Sequence, residues 1–416
     1  MRSTLMSKHG NIDMQSVDFQ SPMFFNELTM CFAELKKLKQ NEIAESELVP
    51  NLSAIVKHHT GLNLAFSIDQ YNPCVEIPKV DRNNILINSI NRNYISSVDG
   101  LAMVNSAKDV VKGTVNLKTG RVTGIFEEIK VTIHLPFYMF LTKTYEPEEI
   151  AAITLHEVGH IFTYCEFITR TVSTNQALAG LSKALDNSGT VEERVVVLSS
   201  VKKALNLKEL DEKELAKSNN KKIVEIVVIT NIIKETESEL GSNVYDFSTW
   251  EYLADQYATR YGAGRYLITS LDKMFKGSFN ISFRSLAVYL AFEAFKLLSV
   301  MLNPVLPLMF GVFDSEGDGT YDKPEARFLR VRNQIVENLK IKDLPTERIE
   351  NLKEDLVKVD EILKHVTDRR QFFGVLIDTF SPTARRRYNQ KKLQQELEAI
   401  AVNDLFVKAA ELKQLG

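Results

Sequence analysis

The stretch that decides the fold is residues 146–162, with the sequence EPEEIAAITLHEVGHIF. Its apolar side chains recur at helical spacing, which predicts a helix with one side facing the core. Pro147 suits the first helical position, where its missing N–H removes no hydrogen bond. Glu148 and Glu149 follow at the positive end of the helix dipole, where carboxylates are favoured. The stretch therefore predicts one helix that begins at Pro147.

Two histidines in this helix form the pattern HExxH. His156 and His160 are four residues apart, so both imidazoles project from the same face about one turn apart. Such a pair can bind zinc, and Glu157 lies where its carboxylate can act as general base on a water. Gly159 is a poor helix former, and its small size predicts close approach of another backbone or of a substrate. The alternative is a helix whose histidines only pack or face solvent.

A catalytic zinc site needs a third protein ligand, and Glu251 is the best candidate. Trp250 and Tyr252 flank this residue, which indicates a helix buried on part of its circumference. Asp255 lies one helical turn further on, where it can accept the second N–H of a ligand imidazole and so fix its orientation. The alternative is an acidic pair on a solvated helix.

The composition excludes several classes of protein. The 416 residues are 44% hydrophobic, which is ample for a core and suggests two or three domains. A net charge of −3 gives no basic surface for nucleic acid, so none is expected as a partner. Three cysteines, far apart in the chain, favour a reducing compartment over a disulfide framework. The N-terminus lacks the apolar core of a secretory signal, so we expect a cytoplasmic protein.

Short runs rich in β-formers between residues 62 and 136 predict a small β-sheet. Residues 118–121, KTGR, lie between two such runs and predict a hairpin turn. Residues 130–135 alternate apolar and polar side chains, the pattern of a half-buried strand. In zinc peptidases the strand near the metal-binding helix is often an exposed edge that an extended peptide joins, and we expect that role here. His134 on this strand is expected to be a surface side chain rather than a ligand.

Two further stretches each allow two interpretations. Residues 286–313 are strongly apolar, but Glu293 and Lys296 interrupt them, which favours a buried helix over a membrane span. Membrane association through this stretch stays the alternative.

Residues 314–325 match the spacing of a calcium-binding loop, but Pro324 stands where the exiting helix should begin, which favours an acidic turn.

The motifs HEVGH and EYLAD resemble those of the gluzincin metallopeptidases, and among these most the HtpX-like and CAAX prenyl protease family. The resemblance implies a zincin-like domain that binds one zinc ion. The residues it implies are the zinc ligands His156, His160 and Glu251, the general base Glu157, and Asp255 hydrogen-bonded behind the ligands.

The family's third segment, a histidine and proline followed by an arginine, corresponds to YDKPEAR at residues 321–327. The resemblance implies catalytic roles for Tyr321 and Arg327. Arg327 falls on the family's arginine, whereas Tyr321 stands where the family has its histidine. A tyrosine hydroxyl can still donate a hydrogen bond to an oxyanion.

These features predict a zinc-dependent metalloendopeptidase that hydrolyses an extended polypeptide. We expect a predominantly helical α+β fold, with a zincin-like catalytic domain, a small β-sheet and additional helices at both ends. We divide the chain into an N-terminal arm and helix at 1–48, a small β-rich part of the catalytic domain at 49–140, a helical zinc-peptidase domain at 141–335 with a helical insertion at 169–248, and a C-terminal helical extension at 336–416.

Two alternatives come from other classes. The first is a non-catalytic structural or assembly protein on a peptidase-derived fold, in which zinc holds the helices together and the C-terminal helices bind a protein partner. The second is another zinc hydrolase with a cysteine ligand, such as a deformylase. Cys74 would be that ligand, but it lies far upstream of His156 and lacks a glycine-rich neighbourhood.

Overall fold

The computed structural model describes residues 22–69, 74–76, 99–240, 244, 250–276, 324–341 and 344–380. This part is predominantly helical with a small sheet, as predicted. In chain order its elements are α1 (Pro22–Leu35), α2 (Gln40–Ile43), α3 (Leu48–Thr60), β1 (Asn63–Asp69), β2 (Cys74–Glu76), α4 (Gly100–Asn105), β3 (Gly113–Asn116), β4 (Arg121–Gly124), β5 (Lys130–Pro136), α5 (Phe137–Leu141), α6 (Pro147–Asp186), α7 (Val191–Leu205), α8 (Glu212–Ala216), α9 (Lys221–Leu240), α10 (Trp250–Arg260), α11 (Gly264–Lys276), α12 (Pro324–Leu339) and α13 (Thr346–Phe380).

Several predictions fall outside the described residues. Tyr321, the apolar stretch 286–313 and residues 314–323 of the acidic turn all lie there. Within the described part, none of the helices combines the length and the apolar character needed to cross a bilayer.

Helix α6 is the central element of the structure. It begins at Pro147 as predicted, and the backbone N–H of Glu146 donates to Glu149 Oε2 at 2.8 Å, which caps the first turn. It does not end near residue 162 but continues to Asp186, so its total length is 40 residues. No proline interrupts residues 163–186, so nothing in that stretch forces the helix to stop. The predicted insertion at 169–248 therefore begins inside α6.

Nearly every position of α6 is buried up to Leu181, on all sides of the helix. The sequence predicted that one side of this helix faces the core, whereas the structure buries all of its sides. Helices α1, α4, α7, α10 and α11 pack around it, together with strands of the sheet. A helix that is covered all round belongs to the interior of a protein, so α6 supports the other elements.

The sheet differs from the prediction in one respect. Strand β5 pairs with β1 in parallel and with β2 in antiparallel, so the strand order is β1-β5-β2. Its alternation is confirmed, because Val131, Ile133 and Leu135 are buried. The expectation that β5 is an exposed edge was wrong, since strands pair with it on both sides. His134 is half-buried, and its Nδ1 lies 2.7 Å from Asp69 Oδ2.

The contact between α6 and α10 depends on a glycine. A Cβ atom at Gly159 would lie 2.8 Å from the Cα of Ala254 and 3.0 Å from its carbonyl oxygen. The close approach of another backbone, one of the two readings of Gly159, is therefore confirmed. Because these are backbone atoms, no change of side-chain rotamer can make room for a larger residue.

We predict that Gly159→Ala separates α6 from α10. Overpacking of this kind costs about 1–3 kcal/mol, and the better helix propensity of alanine offsets about 1 kcal/mol of it. The free energy of unfolding, measured in urea, should fall. Gly189→Ala is the control, because a Cβ there meets only the flexible end of Glu193 at 3.8 Å. A Gly159→Ala variant more stable than Gly189→Ala would contradict the assigned contact.

Candidate metal centre

Three side chains predicted as metal ligands lie together in the protein interior. His156 Nε2 is 3.1 Å from His160 Nε2 and 3.5 Å from Glu251 Oε2, and His160 Nε2 is 3.5 Å from Glu251 Oε1. A tetrahedral zinc ion with bonds of about 2.0–2.1 Å separates its ligand atoms by about 3.3 Å. The observed distances are close to this value, so one ligand atom from each residue can meet at one ion, and this buried group could hold a metal.

The crossing of α6 and α10 brings these ligands together. His156 and His160 project from one face of α6, and Glu251 lies in the first turn of α10. Trp250 anchors this end of α10, because its Nε1 donates to the carbonyl oxygen of Val244 at 2.9 Å. Its indole is buried against aromatic rings of α6. Every residue of α10 is buried, so this helix is covered on all sides and not only on part of its circumference as the aromatic neighbours of Glu251 predicted.

Asp255 contacts the first histidine from behind. Its Oδ1 lies 2.9 Å from His156 Nδ1, on the side of the ring opposite to the ligand cluster. A proton on Nδ1 can be donated to this carboxylate, which leaves Nε2 with its lone pair directed at the cluster. Asp255 thus occupies the position behind the ligands that the resemblance implied.

Arg327 joins both carboxylates of the centre. From α12 its Nε and Nη2 donate to the two oxygens of Asp255 at 2.9 and 2.6 Å. Its Nη1 lies 3.1 Å from Glu251 Oε2, and the side chain is buried. The resemblance implied a catalytic arginine, but these contacts are those of a positioning residue. Sequence periodicity carries no signal for such a contact, because 72 residues separate Arg327 from Asp255.

Burial and neighbouring charges act against each other on the titratable groups. Burial lowers the pKa of His160 to about 4. Burial also disfavours the charged form of His156, but Asp255 and Glu251 outweigh this effect and raise its pKa to about 9. For Glu251 and Asp255 burial opposes ionisation, whereas Arg327 and the histidines hold the pKa of both carboxyls below the usual range. Without a metal, both carboxylates and His156 are therefore charged at neutral pH and His160 is neutral, so a metal ion that binds here must displace the proton from His156 Nε2.

Glu157 follows His156 directly on α6 and is almost completely buried. One residue along a helix turns a side chain by about 100°, so Glu157 does not point with the ligand histidines. It is not part of the group of three ligand atoms. Glu157 is therefore a buried neighbour of a ligand histidine and lies outside the group of ligand atoms.

We predict that Arg327→Met strongly destabilises the protein, because it leaves two buried carboxylates without their cation. Zinc binding should also weaken, because Glu251 and Asp255 lose the guanidinium that fixes their direction. Breaking a buried ion pair typically costs about 3–5 kcal/mol. The measurements are urea unfolding and zinc titration. Arg332→Met on the same helix is the control, since its partner Asp360 is 43% exposed and would be left in contact with water, so the loss of stability should be clearly smaller. If both variants lost the same stability, Arg327 would have no special role.

The chain matches no protein-family profile, no curated protein and no solved structure. Its resemblance to the HtpX-like family consequently stays a prediction from the HEVGH and EYLAD motifs.

Proposed function

We propose that this protein is a zinc-dependent metalloendopeptidase with a zincin-like catalytic domain. The observation that carries the proposal is the buried group of His156, His160 and Glu251, in which the two Nε2 atoms are 3.1 Å apart and each lies 3.5 Å from one of the two carboxylate oxygens. Two imidazoles and one carboxylate are a typical ligand set of catalytic zinc, which keeps a fourth position for water or substrate.

The roles of the side chains follow from their positions. A bound zinc ion supplies Lewis acidity and lowers the pKa of a coordinated water from about 15.7 to about 7. Glu157 accepts the proton of the attacking water and returns it to the leaving amine. Asp255 holds the ring of His156, and Arg327 holds Asp255 and Glu251 in place.

The sheet suggests where a polypeptide substrate binds. Strand β5 is enclosed by β1 and β2, so it cannot accept a further strand. Among the described strands, β2 is at the end of the three-stranded sheet and contacts α6. An extended peptide that joined β2 would form backbone hydrogen bonds with it and lie next to the helix that carries Glu157.

The burial of the centre favours a second candidate, a non-catalytic protein in which zinc holds helices together. His156 and His160 are only 1% and 2% exposed, and Glu251 is 9% exposed. A structural metal needs no access for substrate, whereas a peptidase must admit a polypeptide. Both candidates predict bound zinc, so only a measurement of hydrolysis separates them.

We predict that Glu157→Gln keeps zinc bound but lowers hydrolysis of an unfolded protein such as casein by a factor of at least about 100, because general-base catalysis contributes about 10²–10⁴-fold. Glu148→Gln makes the same chemical change in the first turn of α6, away from the ligands, and should leave the rate unchanged.

Hydrolysis by the unaltered protein should also stop when a chelator removes the metal and return when zinc is added. A zinc-loaded protein that never cleaves casein would support the structural candidate. Cleavage that survives in Glu157→Gln would contradict the assigned base.

A further inference from the structure

Helix α9 has an apolar face that no described residue covers. Ile223 is 49% exposed and Ile226 is 60% exposed, although isoleucine is usually buried. Positions 223, 226, 230, 233 and 237 repeat with alternating spacings of three and four, which is the spacing of a coiled-coil seam. Three of the five are isoleucine, of which Ile223 and Ile226 are exposed and Ile233 is half-buried, and the other two are Thr230 and Glu237. These positions form one stripe, which is apolar over its first half and ends in a carboxylate.

This stripe is separate from the face by which α9 joins the core. Val224, Val228 and Ile232 are buried at helical spacing and face the protein. At the C-terminal end, Arg170 on α6 donates from Nη2 to Glu239 at 2.7 Å. One set of side chains thus packs α9 on the molecule, and the stripe is left on the outside.

The charges of α9 oppose its own helix dipole. Its first turn holds Lys221 and Lys222, and its last turns hold acidic residues, the reverse of the favoured arrangement. The neighbouring helix α7 has the favoured order, with acidic residues in its first turn and lysines in its last. Lys221 is neutralised by Asp186 at 2.7 Å. Lys222 and Glu237 are exposed and form no ion pair with the described residues.

We propose that two copies of this chain associate through the stripe of α9, with the two helices antiparallel. An interface between identical copies with twofold symmetry uses the same patch twice, and an antiparallel pair of α9 helices meets that condition. Centred on Thr230, this pair sets Ile226 close to Ile233 of the partner subunit. It also sets Lys222 close to Glu237 of the partner subunit.

The antiparallel direction explains the charges as well as the apolar stripe. The basic end of each helix meets the acidic end of the other, and the two dipoles run in opposite directions. A seam of about four turns is short for a stable interface, so association should depend on concentration. This inference does not depend on the proposed peptidase activity.

The first test is sedimentation of the full chain over a range of concentrations. The unaltered protein should approach twice the monomer mass, and Ile226→Glu should raise the dissociation constant by about tenfold or more. Val357→Glu is the matched control, because Val357 is 61% exposed but lies on α13, and it should not change association. A protein that stays monomeric, or a dimer that Ile226→Glu leaves intact, overturns the proposal.

The second test is an exchange of charges. Lys222→Glu and Glu237→Lys should each weaken association, because each places like charges opposite one another. The double variant should restore it, since the opposite charges then meet again with their positions exchanged. A double variant weaker than either single variant would exclude the antiparallel arrangement. Circular dichroism of every variant checks that the fold is retained.

Discussion

The ion pair between Arg327 and Asp255 is the interaction on which the candidate metal centre depends. Two buried carboxylates on α10 would repel each other and resist ionisation if no cation lay beside them. Arg327 supplies that charge from α12, with two hydrogen bonds to Asp255 and a contact to Glu251. Because a guanidinium is planar and always protonated, it fixes the direction of the carboxylates as well as their charge. The packing of α12 on α10 is thus part of the centre.

The second constraint is the close crossing of α6 and α10. The histidines reach Glu251 only because Gly159 lets the backbone of α10 approach α6 near Ala254. Trp250 packs on α6 at the start of α10 and keeps Glu251 at the level of the imidazoles. Three contacts therefore fix the position of Glu251 relative to the histidines: the close approach at Gly159, the buried indole of Trp250 and the buried side chain of Arg327. Each of the three acts through a different physical effect.

Helices α6 and α9 are both rich in apolar residues, but their apolar surfaces differ in how far other elements cover them. Helix α6 is covered on every side, whereas the part of the chain that the structure describes covers α9 on one side only. The second apolar face of α9 contributes nothing to the core of one molecule, and its exposure has a cost in water. A partner explains such a face better than folding does. The reversed charges of α9 are consistent with this explanation, because they would weaken an isolated helix.

The sequence by itself determined the local features of this protein. Helical spacing was enough to predict the start of α6, the common face of His156 and His160, and the pairing of Glu251 with Asp255 on one helix, because these depend on neighbours within one turn. It also predicted the alternation of β5, but not the strands on both of its sides. Only the tertiary structure decided that β5 is central, that α6 continues to Asp186 as a buried core helix, and that Arg327 contacts both carboxylates. The reason is that strand order and ion pairs between distant segments depend on how the chain packs. Hydrophobic periodicity predicts only whether one segment is a helix or a strand and which of its sides is buried.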